Sequence, residues 1–187
     1  SPRSFFQTNT AQAARLYGLV SEMAGEALPG RALDLYCGTG GISLQLARQG
    51  ASALGIESVP EAVADARANA DRNGLRNCTF MSGAAEKLLP ELAAERFSLA
   101  VVDPPRAGLH PKVLDGLVQL RVPRLVYVSC NPQTLGADLS QLVASGYVLD
   151  RIRPVDMFPQ TPHCEAVAAA RWPHDVSATG SQASLPT

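Results

Sequence analysis

The chain has 187 residues, 46% of them hydrophobic and 18% charged, with a formal net charge of −1 at pH 7. These totals fit one globular domain that buries about two thirds of its unfolded surface. They exclude a membrane span, since no apolar run reaches the roughly 18 residues that a span needs. They also lack the basic excess of a dedicated nucleic-acid binder. A local basic groove stays open, because 14 of the 16 basic residues are Arg, whose guanidinium suits phosphate.

The spacing of the cysteines and the first residues of the sequence indicate the cellular compartment and the extent of the chain. Four cysteines lie far apart, at positions 37, 78, 130 and 164, and no CxxC pair occurs. We therefore expect neither a structural zinc nor an iron–sulfur cluster built from this chain, and a reducing, cytoplasmic setting is the simpler interpretation. No signal peptide is recognisable, and the absence of an initiator Met suggests a fragment whose upstream domains are missing.

Helices and strands are predicted to alternate along the chain. After a short extended piece at residues 4–7, a helix begins at Asn9 or Thr10 and ends near Gly25. Strands are then predicted at residues 31–36, 51–56, 77–81, 97–102, 125–128, 147–155 and 164–172, and helices at 42–48, 60–73, 84–94, 111–120 and 132–144.

This alternation predicts an α/β fold with a doubly wound, mostly parallel sheet. The connection between the last two strands is too short for a helical crossover, so these strands are expected to be antiparallel. Residues 1–172 are predicted to form the domain, and residues 173–187 a disordered tail.

The segment after the fifth strand carries the strongest sign of chemistry. Ser129, Cys130 and Asn131 lie where the strand stops, since Pro132 cannot continue a central strand. Ligands of open α/β sheets bind beyond the carboxyl ends of the strands, so Cys130 is a candidate nucleophile. A helix that begins near Pro132 is expected to lower the pKa of this thiol through its N-terminal dipole. The alternative is a small buried apolar residue, as most free cysteines are.

A glycine-rich loop after the first strand indicates a nucleotide site. Residues 34–41 read Asp-Leu-Tyr-Cys-Gly-Thr-Gly-Gly, and Gly38, Gly40 and Gly41 permit positive φ and close approach of a ligand. Glu57 ends the next strand, where a carboxylate typically accepts hydrogen bonds from ribose hydroxyls. Loop and carboxylate together favour a nucleoside ligand over a simple turn.

Three residues favour S-adenosylmethionine over NAD as that ligand. Ser43 stands where the dinucleotide fingerprint needs its third glycine. Asp34, just before the loop, suits a cationic ligand such as a sulfonium better than a pyrophosphate. Asp103, followed by Pro-Pro-Arg106, ends the fourth strand beside the crevice in which the adenosyl group is expected.

Four motifs together resemble the RNA uracil-5-methyltransferase family. They are Asp34-Leu-Tyr-Cys-Gly-x-Gly40, Asp103-Pro-Pro-Arg-x-Gly108, Ser129-Cys-Asn-Pro-x-Thr134 and Phe158-Pro-x-Thr-Pro-His-Cys-Glu165, in the family's order. The resemblance covers about residues 5–171. It implies a seven-stranded Rossmann-like methyltransferase sheet, S-adenosylmethionine as methyl donor, and methylation of C5 of a uridine in tRNA or 23S rRNA.

The resemblance also implies roles for single residues. Cys130 is implied to be the nucleophile and Glu165 the base. The residues implied to contact the methyl donor are Gln7, Tyr36, Glu57 and Asp103. The family often has Asn where this chain has Gly41, which implies that a side-chain contact is lost there. Members usually carry an N-terminal RNA-binding domain, and some carry an iron–sulfur cluster; this chain shows neither, so RNA binding is expected to need a missing upstream domain.

Other residues are weaker candidates for contact with the substrate. Arg106 is a candidate for orienting Asp103 or a phosphate, and Phe5, Phe6 or Phe158 for stacking a flipped base. His163 rivals Glu165 in proton handling, because its ordinary pKa is near neutral. Surface exposure for the Arg and core packing for the Phe are the plain alternatives.

Three other functions remain open from the sequence. An amino-group methyltransferase of the same fold typically has an aromatic residue where this chain has Arg106, and it has no use for Cys130. A non-catalytic S-adenosylmethionine-binding module that needs other domains is the second alternative. A nicotinamide oxidoreductase is the third alternative, and tight binding of NADH would support it.

Overall fold

The central sheet has seven strands within the described part of the chain, which is residues 10–155 and 165–173 of a computed structural model. In chain order, strands β1 to β7 are Arg31–Leu35, Ser52–Glu57, Cys78–Ser82, Leu99–Val102, Arg124–Ser129, Val148–Val155 and Glu165–Arg171. Helices α1 to α6 are Thr10–Ala24, Gly41–Arg48, Pro60–Arg72, Ala85–Leu88, Pro111–Leu120 and Pro132–Ala144.

The strand order is β3-β2-β1-β4-β5-β7-β6. Neighbours from β3 to β5 are parallel, whereas β7 pairs antiparallel with both β5 and β6. The predicted doubly wound, mostly parallel sheet and its antiparallel C-terminal pair are both confirmed. The central strands are apolar on both faces, as in β4, whose four residues are all buried, because helices cover the sheet on both sides.

Two helical layers follow from the alternation of side chains along the strands. Leu33 and Leu35 of β1 join an apolar cluster with α4, α5 and α6 on one face. Ala32 lies on the other face, in a cluster with α1 and α2, and α3 packs beside α2 on that side. Residues at odd and even positions of β1 therefore face different layers.

The beginnings of three helices follow a simple rule of sequence. Pro60, Pro111 and Pro132 each occupy the first helical position, where a missing N–H is harmless. His110 and Asn131 cap the second and third of these helices, each accepting a hydrogen bond from a backbone N–H two residues further on. The observed bounds of α5 and α6 agree with those predicted.

The helix expected over residues 84–94 is wrong in extent. One α-helical turn, α4, is followed by a 3-10 turn at Leu89–Leu92. Pro90 explains the change, because its ring clashes with the preceding turn and it has no N–H to donate. In the described residues, no helix combines the length and the apolar character that crossing a membrane requires. The extended piece predicted at residues 4–7, and residues 174–187 of the predicted tail, lie outside that part of the chain.

Candidate active site at the carboxyl edge of the sheet

The topology brings three predicted site residues to one edge of the sheet. Asp103 follows β4 and Cys130 follows β5, and these two strands are parallel neighbours. Glu165 begins the antiparallel strand β7, so it starts at the same edge. The last pair between β5 and β7 joins Ser129 to Ala166, which makes Cys130 and Glu165 the next residues on adjacent strands. The final strand therefore neighbours the strand that ends before Cys130.

Cys130 is partly exposed, unlike Cys37 and Cys78, which are both 8% exposed. Its pKa is raised by partial burial and then by the carboxylates of Asp103 and Glu165, more than the nearby Arg106 lowers it. The expectation of a low pKa from the dipole of α6 is therefore wrong for the ligand-free protein.

The reason lies in the first turn of α6. The Asn131 side chain already accepts a hydrogen bond from the Gln133 N–H at 3.1 Å, which partly satisfies the helix end. Two neighbouring carboxylates then outweigh what remains of the dipole. A positive charge bound beside those carboxylates would reverse the balance.

The loop after β4 is fastened to the segment that carries Cys130. Asn131 Nδ2 donates to the backbone oxygen of Arg106 at 3.0 Å, and Thr134 Oγ1 donates to the same oxygen at 3.3 Å. The side chain of Arg106 itself is exposed. Two of the four sequence motifs are thus joined through one carbonyl group, which fixes Asp103 relative to Cys130.

Asp138 of α6 also fastens the loop after β4, and the sequence analysis did not identify it. Its Oδ2 accepts hydrogen bonds from the Tyr127 hydroxyl at 2.6 Å and from the Leu109 N–H at 2.8 Å. A Cβ on Gly108, where φ is +83°, would lie 2.8 Å from the same oxygen. The sequence does contain a sign of this role, because Asp138 is an acidic residue on an otherwise apolar face of α6. That face carries the buried leucines Leu135, Leu139 and Leu142.

Glu57 is held beside the glycine loop by backbone donors. The Gly38 N–H donates to Glu57 Oε2 at 3.1 Å, and the Val59 N–H donates to Oε1 at 2.9 Å. Gly38 has φ +54°, a conformation that favours glycine. The carboxylate predicted to bind a ribose therefore contacts the loop predicted to cradle the nucleotide.

Side chains at positions 40 and 41, in the second half of the glycine-rich loop, would collide with neighbouring residues. A Cβ on Gly40, at φ +85°, would lie 3.0 Å from the ring of Phe80. A Cβ on Gly41 would lie 2.3 Å from the hydroxyl oxygen of Tyr17. The space that a side chain at position 41 would use is thus occupied by Tyr17 of α1, a residue that the sequence analysis did not name as part of the site.

Asp34 is a buried carboxyl group with half of its hydrogen-bonding capacity unused. It is 0% exposed; Oδ2 accepts a hydrogen bond from Ser43 Oγ at 2.5 Å, and Oδ1 has no partner among the residues that the structure describes. Burial raises its pKa to about 7, although hydrogen bonds from Ser43 oppose this and Glu57 adds to it. Ser43, which breaks the dinucleotide fingerprint, is therefore used to hold Asp34. A buried carboxylate with an unpaired oxygen fits a cationic ligand.

Asp103 and Glu165 extend this acidic character along the edge. Burial, together with the charges of Glu165 and Asp34, raises the pKa of Asp103 to about 8. Burial also raises the pKa of Glu165. A carboxyl group with a raised pKa is a better proton acceptor than an ordinary one, and the cluster attracts positive charge.

The remaining predicted site residues divide into two groups. Tyr36 has φ +64°, and its side chain packs against the apolar cluster on the α4–α6 side of the sheet. The backbone of Tyr36, with its positive φ, thus belongs to the glycine-rich loop, whereas its ring packs in the α4–α6 layer. Gln7, Phe158 and His163 lie outside the described residues.

The fold and the site together define a Rossmann-like methyltransferase. TrmN from Thermus thermophilus, 20% identical, has the same fold over 89% of this chain and 53% of its own length, with a TM-score of 0.69. A profile of the tRNA (uracil-5-)-methyltransferase family matches residues 1–169, and the chain belongs to that family.

Closer relatives agree with this membership. A protein of Clostridium tetani named "Uncharacterized RNA methyltransferase" is 44% identical over 91% of this chain and 37% of its own length. One from Chlorobaculum tepidum with the same description is 48% identical over 90% of this chain and 36% of its own. The chain therefore spans little more than a third of the length of these curated relatives.

One similar protein of known structure contains a bound ligand. The tRNA (uracil-54, C5)-methyltransferase of Pyrococcus abyssi, in complex with S-adenosyl-L-homocysteine, is 38% identical to this chain. The match covers 90% of this chain and 40% of the other, with a TM-score of 0.80.

Proposed function

We propose that residues 1–172 form the catalytic domain of an enzyme that transfers a methyl group from S-adenosylmethionine to C5 of a uridine in RNA. The observation that carries the proposal is the juxtaposition of Cys130 and Glu165 at the ends of paired strands, next to Asp103. Membership of the tRNA (uracil-5-)-methyltransferase family supports it. The RNA is tRNA or 23S rRNA, and we propose that parts of the protein outside this chain contribute to binding it.

The residues at the carboxyl edge fit S-adenosylmethionine. The oxygen of buried Asp34 that has no partner among the described residues suits its positive charge, and Glu57 suits its ribose hydroxyls. Glycine at positions 40 and 41 keeps the loop free of side chains that would collide with Phe80 and Tyr17. Gly38 and Asp103 complete the set on this chain. When bound, S-adenosylmethionine supplies an electrophilic methyl group. Gln7 and the backbone of Tyr36 remain proposed contacts.

Cys130 makes C5 of the uracil reactive. C5 alone is a poor nucleophile, but addition of the Cys130 thiolate to C6 forms a C–S bond and shifts the C5–C6 electron pair into an enolate. The thiol is protonated at neutral pH in the ligand-free protein, because burial and then the charges of Asp103 and Glu165 raise its pKa above the ordinary value. A cation bound next to these carboxylates lowers the pKa again, so that thiolate forms when the site is filled.

Glu165 reverses the adduct. Once C5 carries the methyl group, Glu165 accepts the C5 proton, the electron pair restores the C5–C6 double bond, and the C–S bond breaks to release the thiolate. The raised pKa of Glu165 makes it a stronger base for this step. His163 remains the proposed rival for it, and Arg106 and Phe158 remain proposed substrate contacts, the one for a phosphate and the other for the flipped base.

A trapping experiment tests the proposal. The protein is incubated with S-adenosylmethionine and RNA that contains 5-fluorouridine, whose C5 fluorine cannot leave as a proton does. We expect a covalent protein–RNA band in the wild type and in the control Cys78→Ala, which removes another free cysteine, and none in Cys130→Ala. A band that persists in Cys130→Ala, or that peptide analysis assigns to another cysteine, contradicts the proposal.

A second candidate is a methyl-donor-binding module that depends on other domains for catalysis. The observation that favours it is the short span of this chain relative to its curated relatives. Binding of S-adenosylhomocysteine without adduct formation on any RNA would support it. Under either proposal we place the protein in the cytoplasm, since Cys37, Cys78 and Cys130 are free thiols, as a reducing compartment favours.

A further inference from the structure

Tyr17 is a polar side chain at the site that the proposed chemistry does not use. It lies on α1, and its ring is half-buried against the apolar cluster between α1, α2 and the sheet. Its hydroxyl makes no hydrogen bond within the part of the chain that the structure describes. Its donor capacity is therefore available to a bound ligand.

The hydroxyl lies against the first residue of α2. A Cβ on Gly41 would be 2.3 Å from the Tyr17 oxygen and 2.7 Å from the ring carbon that bears it. Gly41 is the first residue of α2, where backbone N–H groups have no partner within the helix and favour negative charge. Tyr17 therefore adds a hydroxyl donor at the point where the helix offers its own.

Among the described residues, the charged groups that shift the pKa of Tyr17 are carboxylates. Burial raises the pKa of Tyr17, and then Asp103, Asp34 and Glu165 raise it further, so the phenol stays protonated at neutral pH. These three residues come from the ends of β1 and β4 and from the beginning of β7. The hydroxyl consequently remains a hydrogen-bond donor within an acidic cluster.

We propose that the Tyr17 hydroxyl donates a hydrogen bond to the carboxylate of the amino-acid end of S-adenosylmethionine. This rests on the proposed function. The ligand has a sulfonium and an ammonium group, which suit the carboxylates of the protein, and one carboxylate, which needs donors. Tyr17 and the first turn of α2 supply donors at the same place, and the absence of a side chain at Gly41 leaves the hydroxyl in position.

Calorimetry with two ligands tests this assignment. Tyr17→Phe is compared with the wild type for binding of S-adenosylhomocysteine and of its decarboxylated analogue, which lacks only the carboxylate. Tyr17→Phe should lose roughly tenfold or more in affinity for S-adenosylhomocysteine, as expected when a hydrogen bond to a charged group is removed. Its affinity for the analogue should stay within about twofold of the wild type, because that ligand has no group for the hydroxyl to bind.

The same substitution elsewhere is the matched control. Tyr147 is buried in the α5–α6 layer, and its hydroxyl donates to the Leu117 carbonyl at 3.2 Å, so Tyr147→Phe should leave both affinities unchanged. Gly41→Ala is a second route, since its methyl group must displace the Tyr17 hydroxyl, and it should also weaken S-adenosylhomocysteine binding.

Three outcomes would overturn the assignment. Unchanged affinity of Tyr17→Phe for S-adenosylhomocysteine shows that the hydroxyl does not bind the ligand. Equal losses for both ligands show that Tyr17 only shapes the site. A wild type that binds neither ligand ends the proposed function together with this inference, whereas the first two outcomes leave the proposed function intact.

Discussion

Removing the Asp138 carboxylate should destabilise the protein strongly, because two buried donors depend on it. The perturbation is Asp138→Ala. It leaves the Tyr127 hydroxyl and the Leu109 N–H without an acceptor, in a place where Asp138 is 6% exposed and water has little access. A buried donor without a partner costs about 1–3 kcal/mol, so the expected loss is about 2–6 kcal/mol. That is a large part of the roughly 5–15 kcal/mol that stabilises a domain.

Urea unfolding followed by circular dichroism measures this loss. Two further variants separate its parts. Tyr127→Phe removes one hydrogen bond but leaves Asp138 bonded to Leu109, so it should cost about 1 kcal/mol. Asp138→Asn keeps an oxygen that accepts from the same groups, so its loss should lie between those of the other two variants.

The same substitution should also slow formation of the 5-fluorouridine adduct, because Leu109 belongs to the loop that positions Asp103. A loss of less than about 1 kcal/mol for Asp138→Ala would refute the reasoning, since one unsatisfied buried donor already costs that much. Equal losses for Asp138→Ala and Tyr127→Phe would show that the bond to Leu109 contributes nothing.

Two more predictions concern the nucleotide loop and its acids. The free energy of unfolding of the ligand-free protein should fall as pH rises from 3.8, the ordinary pKa of Asp, to about 8, because folding raises the pKa of Asp34 and Asp103 and the folded state then holds protons more tightly. Asp34→Asn should flatten this fall in denaturation series at several pH values, and an unchanged slope would contradict it. Gly40→Ala should lose about 1–2 kcal/mol from left-handed backbone strain, and more from contact with Phe80. The helical control Gly136→Ala, with open space around its Cβ, should lose nothing in the same assay.

Features that depend on local sequence could be predicted closely. Pro111 and Pro132 mark helix starts because a proline is tolerated only in the first turn, and both helices begin there. Pro132 also ends the strand before Cys130, which put the cysteine at the carboxyl edge. The short connection between β6 and β7 predicted that they are antiparallel, whereas the role of Glu165 came from the resemblance to the family.

Features that depend on long-range approach could not be predicted from the residues alone. The contact of Tyr17 with Gly41 joins two helices that are separated by β1, and helical periodicity shows only that Tyr17 faces inward. The pKa of Cys130 was expected to follow its own helix, yet burial raises it, and carboxylates from two other segments add to the rise. Electrostatic effects in a folded site depend on distances and burial, which no spacing in the chain encodes.

During synthesis, β6 leaves the ribosome before β7, although β7 lies between β5 and β6 in the finished sheet. A nascent chain can therefore complete its nucleotide loop and expose Cys130 while one edge of β5 is still unpaired. The proposed base arrives only with Glu165, the first residue of the strand that fills this gap. The order of translation thus keeps the two halves of the reactive pair apart until the sheet closes.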